Sequence, residues 1–173
     1  MSDPYAGLVL IGPPGSGKSF LGAQLAARRV AAYTELEPLL RARFGSGDAF
    51  GGKLREAGEF LWRSYQAQLR DAKLPVAFES AGVIDRVLLE RLRREHRVAF
   101  VEVRAARALC VERVVTRSPE RSIHATTDRE RVGRHYDLWQ ERVAPTFRFD
   151  LWVDGDDVES AVAAVRSFLR RGP

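Results

Sequence analysis

The run Gly12-Pro13-Pro14-Gly15-Ser16-Gly17-Lys18-Ser19 constrains this chain more than any other stretch. It has almost no side chains to offer a core, so its backbone is the working part. It fits G-x-x-x-x-G-K-[ST] at every fixed position. The apolar run "GLVLIG" (Gly7 to Gly12) comes before it and reads as a buried parallel strand. "KSFLGAQLAARR" comes after it, with Phe20, Leu21 and Leu25 at helical spacing. In that setting glycines let the backbone curl so that successive N–H groups face one anion. The following helix adds its positive N-terminal end. Lys18 supplies a mobile charge for the β- and γ-phosphates, and the Ser19 hydroxyl can ligate Mg²⁺. Residues Gly12, Pro13, Pro14, Gly15, Ser16, Gly17, Lys18, Ser19 and Phe20 are therefore expected to hold a nucleoside triphosphate, with ATP and Mg²⁺ as cofactors.

Beyond this loop, strand-like and helix-like patterns alternate. "VAAYT" (Val30 to Thr34) reads as a second strand, and "EPLLRARFG" as a short helix stopped by Gly45. A long helix is expected from about Lys53 to Arg70, with Leu54, Gly58, Leu61, Tyr65 and Leu69 as its buried stripe. "PVAFES", "RVAFVEV" and "DLWVDG" read as the third, fourth and fifth strands. Helices are expected over "RVLLERLRRE", from Ala105 to about Thr116, and from Val158 to Arg170. Thr127 to Glu130 has the form of a capping box opening one more helix, lined by Val132, Tyr136, Trp139 and Val143. This alternation predicts an α/β fold: a five-stranded parallel sheet between two layers of helices. No linker divides the chain, so residues 1–173 are expected to form one domain.

Composition narrows the function classes. The net charge is +5 and almost all of the positive charge is arginine, scattered along the chain. No aromatic-plus-basic module is present, which argues against nucleic acid and leaves small phosphorylated anions as partners. No apolar run is long enough to cross a bilayer. The first residues lack the basic region and cleavage site of a signal peptide. Cys110, the only cysteine, excludes an internal disulfide and reads as a core thiol, so a cytoplasmic location is expected. His96, His124 and His135 show no metal-ligand spacing.

Several charged residues fall where chemistry is expected. Glu35 and Glu37 follow the second strand, and two residues apart on an extended segment they share a face. One could hold Mg²⁺ through water while the other accepts a proton from a substrate hydroxyl. Thr34 to Glu37, with Pro38 after it, is also a capping box, and the two readings are compatible. Glu79 ends the third strand, where ligands bind in doubly wound sheets, and is expected to contact Mg²⁺ or water there. Arg117 and Arg121 lie in "RSPERS", a loop that can close over phosphates as a small lid of about residues 117–128. Glu59 and Arg63 form an i,i+4 pair that alone reads as solvated surface.

From about Leu8 to Asp154 the chain resembles the shikimate kinases, within the nucleoside-monophosphate-kinase-like P-loop kinases. Gly58-Glu59-x-x-Trp62-Arg63 resembles that family's G-E-x-x-[FY]-R, in which the arginine grips the substrate carboxylate. Glu35-x-Glu37 stands where the family has Asp-x-Asp, and Ser80-Ala81-Gly82 stands where it has three glycines. Arg121 resembles the lid arginine, and Arg142-x-x-Pro145-x-Phe147 resembles a late element supplying a second substrate-binding arginine. The resemblance implies a three-layer P-loop kinase fold, with about residues 35–70 as the acceptor-binding helical segment. It implies that Glu37, Arg63, Gly82 and Arg142 hold the acceptor, and Glu79, at its strand end, is expected to reach the acceptor as well. Lys18, Glu35, Glu37, Arg117 and Arg121 would act on the transferring group, and Ser19, Glu35 and Glu79 on the metal.

The chain departs from that pattern at its acceptor side. The glutamates reach about one methylene further than aspartates, Ala81 fills room a glycine leaves open, and Arg121 is followed by Ser-Ile-His in place of Pro-Leu-Leu. Arg142 is one residue out of register with Pro145, and Glu79 adds negative charge. The expected activity is γ-phosphoryl transfer to a hydroxyl of a small molecule at an altered acceptor site, by a monomer or weak dimer. The expected acceptor is polyhydroxylated, with any anionic group remote from the reacting hydroxyl and held by Arg63, so that shikimate is a poor substrate. The alternatives are a nucleoside monophosphate, gluconate or other polyol, or antibiotic kinase, and a regulatory ATPase without transfer.

Overall fold

The computed structural model describes residues 5–45, 52–117 and 126–172. Five parallel strands, β1 (Gly7–Ile11), β2 (Ala32–Tyr33), β3 (Val76–Ser80), β4 (Val98–Arg104) and β5 (Leu151–Asp154), form one sheet in the order β2-β3-β1-β4-β5. The helices are α1 (Lys18–Ala27), α2 (Glu37–Phe44), α3 (Leu54–Asp71), α4 (Arg86–Glu95), α5 (Arg107–Val115), α6 (Arg129–Leu138) and α7 (Val158–Arg171). After α6 the chain continues through a π-helical turn (Trp139–Val143) and a 3₁₀ turn (Ala144–Thr146) before β5.

β1 lies in the middle of the sheet and all five of its residues are buried, which is why its sequence is a continuous apolar run. Its side chains alternate between two cores. Val9 and Ile11 join Phe78 and Phe100 beneath α2, α3 and α4. Leu8 and Leu10 join Ala77 and Val101 beneath α1 and α7. Two such cores, one on each side, give the three layers predicted from the sequence. Each fully buried leucine or phenylalanine in them stabilises the fold by about 1.5–3 kcal/mol.

The strand order also locates a crevice. From the carboxyl end of β1 the chain leaves toward one edge to build β2. From β3 it passes back across β1 to build β4 on the other side. The connections diverge between β1 and β3, and open α/β sheets bind ligands at such a point. Gly12 and Glu79 stand on its two sides, joined by the Gly12 amide donating to the Ser80 carbonyl at 3.3 Å.

Several local expectations are corrected. Phe20 is 57% exposed, because α1 buries Leu21, Gly22 and Leu25 instead. Gly22 is needed where it stands: a Cβ there would come within 2.4 Å of the Tyr33 ring. α3 buries Ala57, Leu61 and Tyr65, the i, i+4 row, and Leu54 is 46% exposed. Leu54 opens the helix beyond the strand ends, where no sheet layer covers it. Thr34 caps nothing at α2, whose N-cap is Leu36 without a side-chain bond. α6 is capped by Asp128, which accepts from the Arg131 amide at 3.0 Å, so the cap falls one residue after Thr127. Arg121 and most of the 117–128 loop lie outside the described residues.

Candidate active site

The phosphate loop is held from three directions. Gly15 takes φ +82°, and a Cβ there would meet the Cys110 carbonyl oxygen at 2.4 Å. Gly155, after β5, lies so close that its Cβ would overlap the Ser16 carbonyl. Arg113 on α5 donates to the Gly15 carbonyl at 3.2 Å and pairs with Asp156 at 2.8 Å. It ties the loop to the β5–α7 turn. Gly15→Ala combines a disfavoured φ with a backbone clash. It is expected to cost about 2–4 kcal/mol of stability, measured by urea denaturation; a loss below about 0.5 kcal/mol would mean that the loop adjusts freely.

Within this frame Lys18 folds back, and its Nζ donates to the carbonyls of Gly12 and Pro13, both at 2.9 Å. Burial pushes the Lys18 ammonium down to about 8, with Arg117 adding to the effect and Glu79 and Glu37 opposing it. Arg117 and Glu37 thus lie within electrostatic reach of the loop lysine. Glu35 acts on Tyr33.

Glu79 makes the contact that organises the site. One carboxylate oxygen accepts from the Ser19 hydroxyl at 2.8 Å, and the other accepts from the Tyr33 phenol, also at 2.8 Å. Burial, with the Glu79 charge next, drives the Tyr33 phenol well above its ordinary range, so it stays protonated and donating. Tyr33 carried no signal in the sequence.

Beside Glu79, on the other face of β3, Ser80 donates to both oxygens of Asp85 at 2.7 and 2.8 Å and accepts from the Gly82 amide at 2.7 Å. Burial raises the Asp85 carboxyl above the usual range. The Ser80-Ala81-Gly82 turn is pinned by Trp139, whose Nε1 donates to the Ala81 carbonyl at 2.7 Å. It is also pinned by Phe147, which leaves no room for a Cβ on Gly82. The late element carrying Arg142 and Phe147 therefore meets the turn that stands for the three glycines. Arg142 itself is exposed on the π-helical turn. Arg63 is also exposed and lines a groove of about 540 Å³ with Arg43, Phe44 and Phe60. Gly58 and Trp62 line a different cavity, with Asp85. Cys110 is buried, and desolvation lifts its thiol to about 11, as a core thiol requires.

The residues present fit a phosphate chain and a hard cation. The Ser16 hydroxyl oxygen is buried with no hydrogen-bond partner among the described residues. The first amides of α1 have no partners within their helix. Ser19 and Glu79 together offer the oxygen donors Mg²⁺ prefers. Among the described residues no group of three or more histidine, cysteine, aspartate or glutamate side chains could hold a metal by themselves. That is ordinary for Mg²⁺ held with phosphates.

No protein-family model matches the chain. In sequence it is 26% identical over 177 residues to a shikimate kinase of Xanthomonas euvesicatoria pv. vesicatoria (strain 85-10), covering 97% of this chain and 93% of that one. In structure it is similar to a shikimate kinase from Bacteroides thetaiotaomicron, with a TM-score of 0.69 and 16% identity over 94% of this chain and 97% of the other. A gluconokinase from Sinorhizobium meliloti 1021 aligns with a TM-score of 0.56 and 20% identity over 98% of this chain and 94% of the other. No helix among the described residues is long and apolar enough to cross a membrane. The chain is thus similar in sequence to a shikimate kinase and shares its fold with a shikimate kinase and a gluconokinase.

Proposed function

We propose that this chain is a small-molecule kinase that transfers the γ-phosphoryl group of ATP, with Mg²⁺, to an acceptor hydroxyl. The observation that carries the reading is the Ser19–Glu79 bond at the crevice between β1 and β3, beside Lys18. A loop that merely joined a strand to a helix would have no reason to bring a lysine, a serine and a strand-end glutamate together there.

Lys18 leaves the Gly12 and Pro13 carbonyls and pairs with the β- and γ-phosphates. The loop amides and the α1 N-terminus hold the remaining charge. Ser19 and Glu79 would hold Mg²⁺, which when bound neutralises charge on the phosphates. The acceptor oxygen forms its bond to the γ-phosphorus as the bond to the β,γ-bridging oxygen breaks, and ADP leaves with that electron pair. Glu35 or Glu37 would take the proton of the acceptor hydroxyl; the charge of Glu37 is felt at Lys18 and that of Glu35 at Tyr33. Arg117, with Arg121, neutralises the transferring group. Arg63 and Arg142 remain available to an anionic acceptor. Positioning and charge neutralisation supply most of the rate.

Acceptor-dependent ADP release, with little release when acceptor is withheld, tests this function against a regulatory ATPase. A pH effect tests the lysine. Triphosphate binding favours charged Lys18, which in the free protein loses its proton near pH 8. Affinity for a non-hydrolysable ATP analogue should therefore weaken as pH rises through about 8, by up to tenfold per unit, with proton uptake on binding. Calorimetry in two buffers of different ionisation enthalpy reads both. Constant affinity from about pH 7 to about pH 9.5 without proton uptake would remove Lys18 from the phosphate contact.

A further inference from the structure

A cavity of about 330 Å³ lies between the first half of α3 and the start of α4. α3 runs toward the beginning of β3, so its first half overhangs the carboxyl ends of the strands. α4 starts just past the end of β3. The cavity therefore opens on the same edge of the sheet as the phosphate loop. Ser80 links the two directly: its carbonyl accepts from Gly12, and its hydroxyl donates to Asp85 in the cavity wall.

The wall is mostly apolar, formed by Leu54, Leu61, Trp62, Ile84, Val87 and Leu88. Three of these side chains stay open to solvent, with Val87 84%, Ile84 59% and Leu54 46% exposed. The charged groups are Asp85, Glu59 and Arg91. Arg91 is already engaged, lying over the Trp62 ring at 4.1 Å and paired with Glu95 at 2.8 Å. Among the described residues Glu59 has a loose partner, Arg55 at 3.7 Å on the exposed surface. The cavity thus offers carboxyls and an apolar floor, and among the described residues the one cation lining it is taken.

Gly58 adds an independent observation. A glycine in mid-helix weakens the helix relative to alanine, and crowding usually explains it. Here a Cβ would meet nothing within 4 Å. The missing side chain only keeps the cavity open.

We infer that this cavity receives the acceptor, and that the acceptor is a neutral or ammonium-bearing alcohol built on an apolar ring, without a carboxylate or phosphate of its own. The inference rests on the kinase reading above and names its substrate class. Apolar walls with a few placed polar groups are the usual make-up of small-molecule sites. A buried carboxyl beside an anionic ligand would repel it or demand a proton.

A matched ring series tests this: benzyl alcohol, 4-(aminomethyl)benzyl alcohol and 4-(hydroxymethyl)benzoate. Binding to the full chain is measured by ligand-observed NMR with Mg²⁺ and a non-hydrolysable ATP analogue. The ammonium and neutral compounds should bind at least about tenfold more tightly than the carboxylate. Gly58→Leu should abolish their binding, leave the affinity for the ATP analogue unchanged, and raise Tm by about 2–4 °C. Asp85→Asn should erase the advantage of the ammonium compound and keep binding of benzyl alcohol. Tightest binding of the carboxylate, unchanged binding in Gly58→Leu, or no binding of any member up to roughly 10 mM would each overturn the inference. Failure of the kinase reading looks different: the series would bind as described, yet no phosphomonoester would form from ATP with any alcohol. Conversely, transfer to gluconate or shikimate with the series unbound would keep the kinase reading and discard this acceptor class.

Discussion

Lys18→Ala is expected to lower phosphoryl transfer by about 10²–10³-fold in kcat or more, and to weaken triphosphate binding as well. The side chain sits at the loop, bonded to the Gly12 and Pro13 carbonyls in the free protein. Arg117, whose charge reaches Lys18, belongs to the loop after α5 and not to the phosphate loop. It cannot take over the β,γ position from within the phosphate loop. The two carbonyls that lose the ammonium can turn to water, so the fold should survive. Calorimetric titration of nucleotide and a single-turnover assay check the two halves separately. Wild-type affinity together with wild-type turnover would remove Lys18 from the mechanism.

Glu79→Gln should produce the second largest loss. The carboxylate accepts two hydrogen bonds, from Ser19 and Tyr33. An amide keeps one acceptor oxygen and turns a donor toward whichever hydroxyl remains. It also removes the negative charge from the place where Mg²⁺ is proposed to sit. The expected result is a fall in kcat of about 10²-fold and a need for more Mg²⁺. Turnover measured against Mg²⁺ concentration checks both. Tyr33→Phe leaves the charge and removes only one bond, so it should lose much less, within about tenfold. An unchanged Mg²⁺ requirement in Glu79→Gln would show that the glutamate only braces Ser19.

The parts of this site that could be read from the sequence are those that demand particular residue types in a row. A phosphate loop needs glycines, a lysine and a serine at fixed spacing, and Gly12 to Ser19 supply them. Strands buried on both faces need apolar runs, and β1 has one along its whole length, β3 over 76–78 and β4 over 98–101. The phase of α3 was harder. Ala57 and Gly58 are neighbours with small side chains, and neither tells which of them faces the sheet. The caps of α2 and α6 depend on the backbone angles of single residues, which Thr34 and Thr127 do not determine. Contacts between distant positions left no trace in the sequence. Tyr33 meets Glu79 from 46 residues away, and Trp139 meets Ala81 from 58 residues away. Asp85 belongs to no sequence motif, and only its bonds to Ser80 and the cavity beside it give it a place in the site.

Whether the phosphate loop serves transfer to a small alcohol can be read by ³¹P NMR of the full chain with Mg²⁺ and ATP. Acceptors would be supplied one at a time: the ring alcohols above, gluconate, shikimate and a nucleoside monophosphate. ADP and a new phosphate ester should form in equal amounts, only when a suitable alcohol is present, with little or none from shikimate. Inorganic phosphate released at the same rate with and without every acceptor would contradict transfer and make the chain an ATPase.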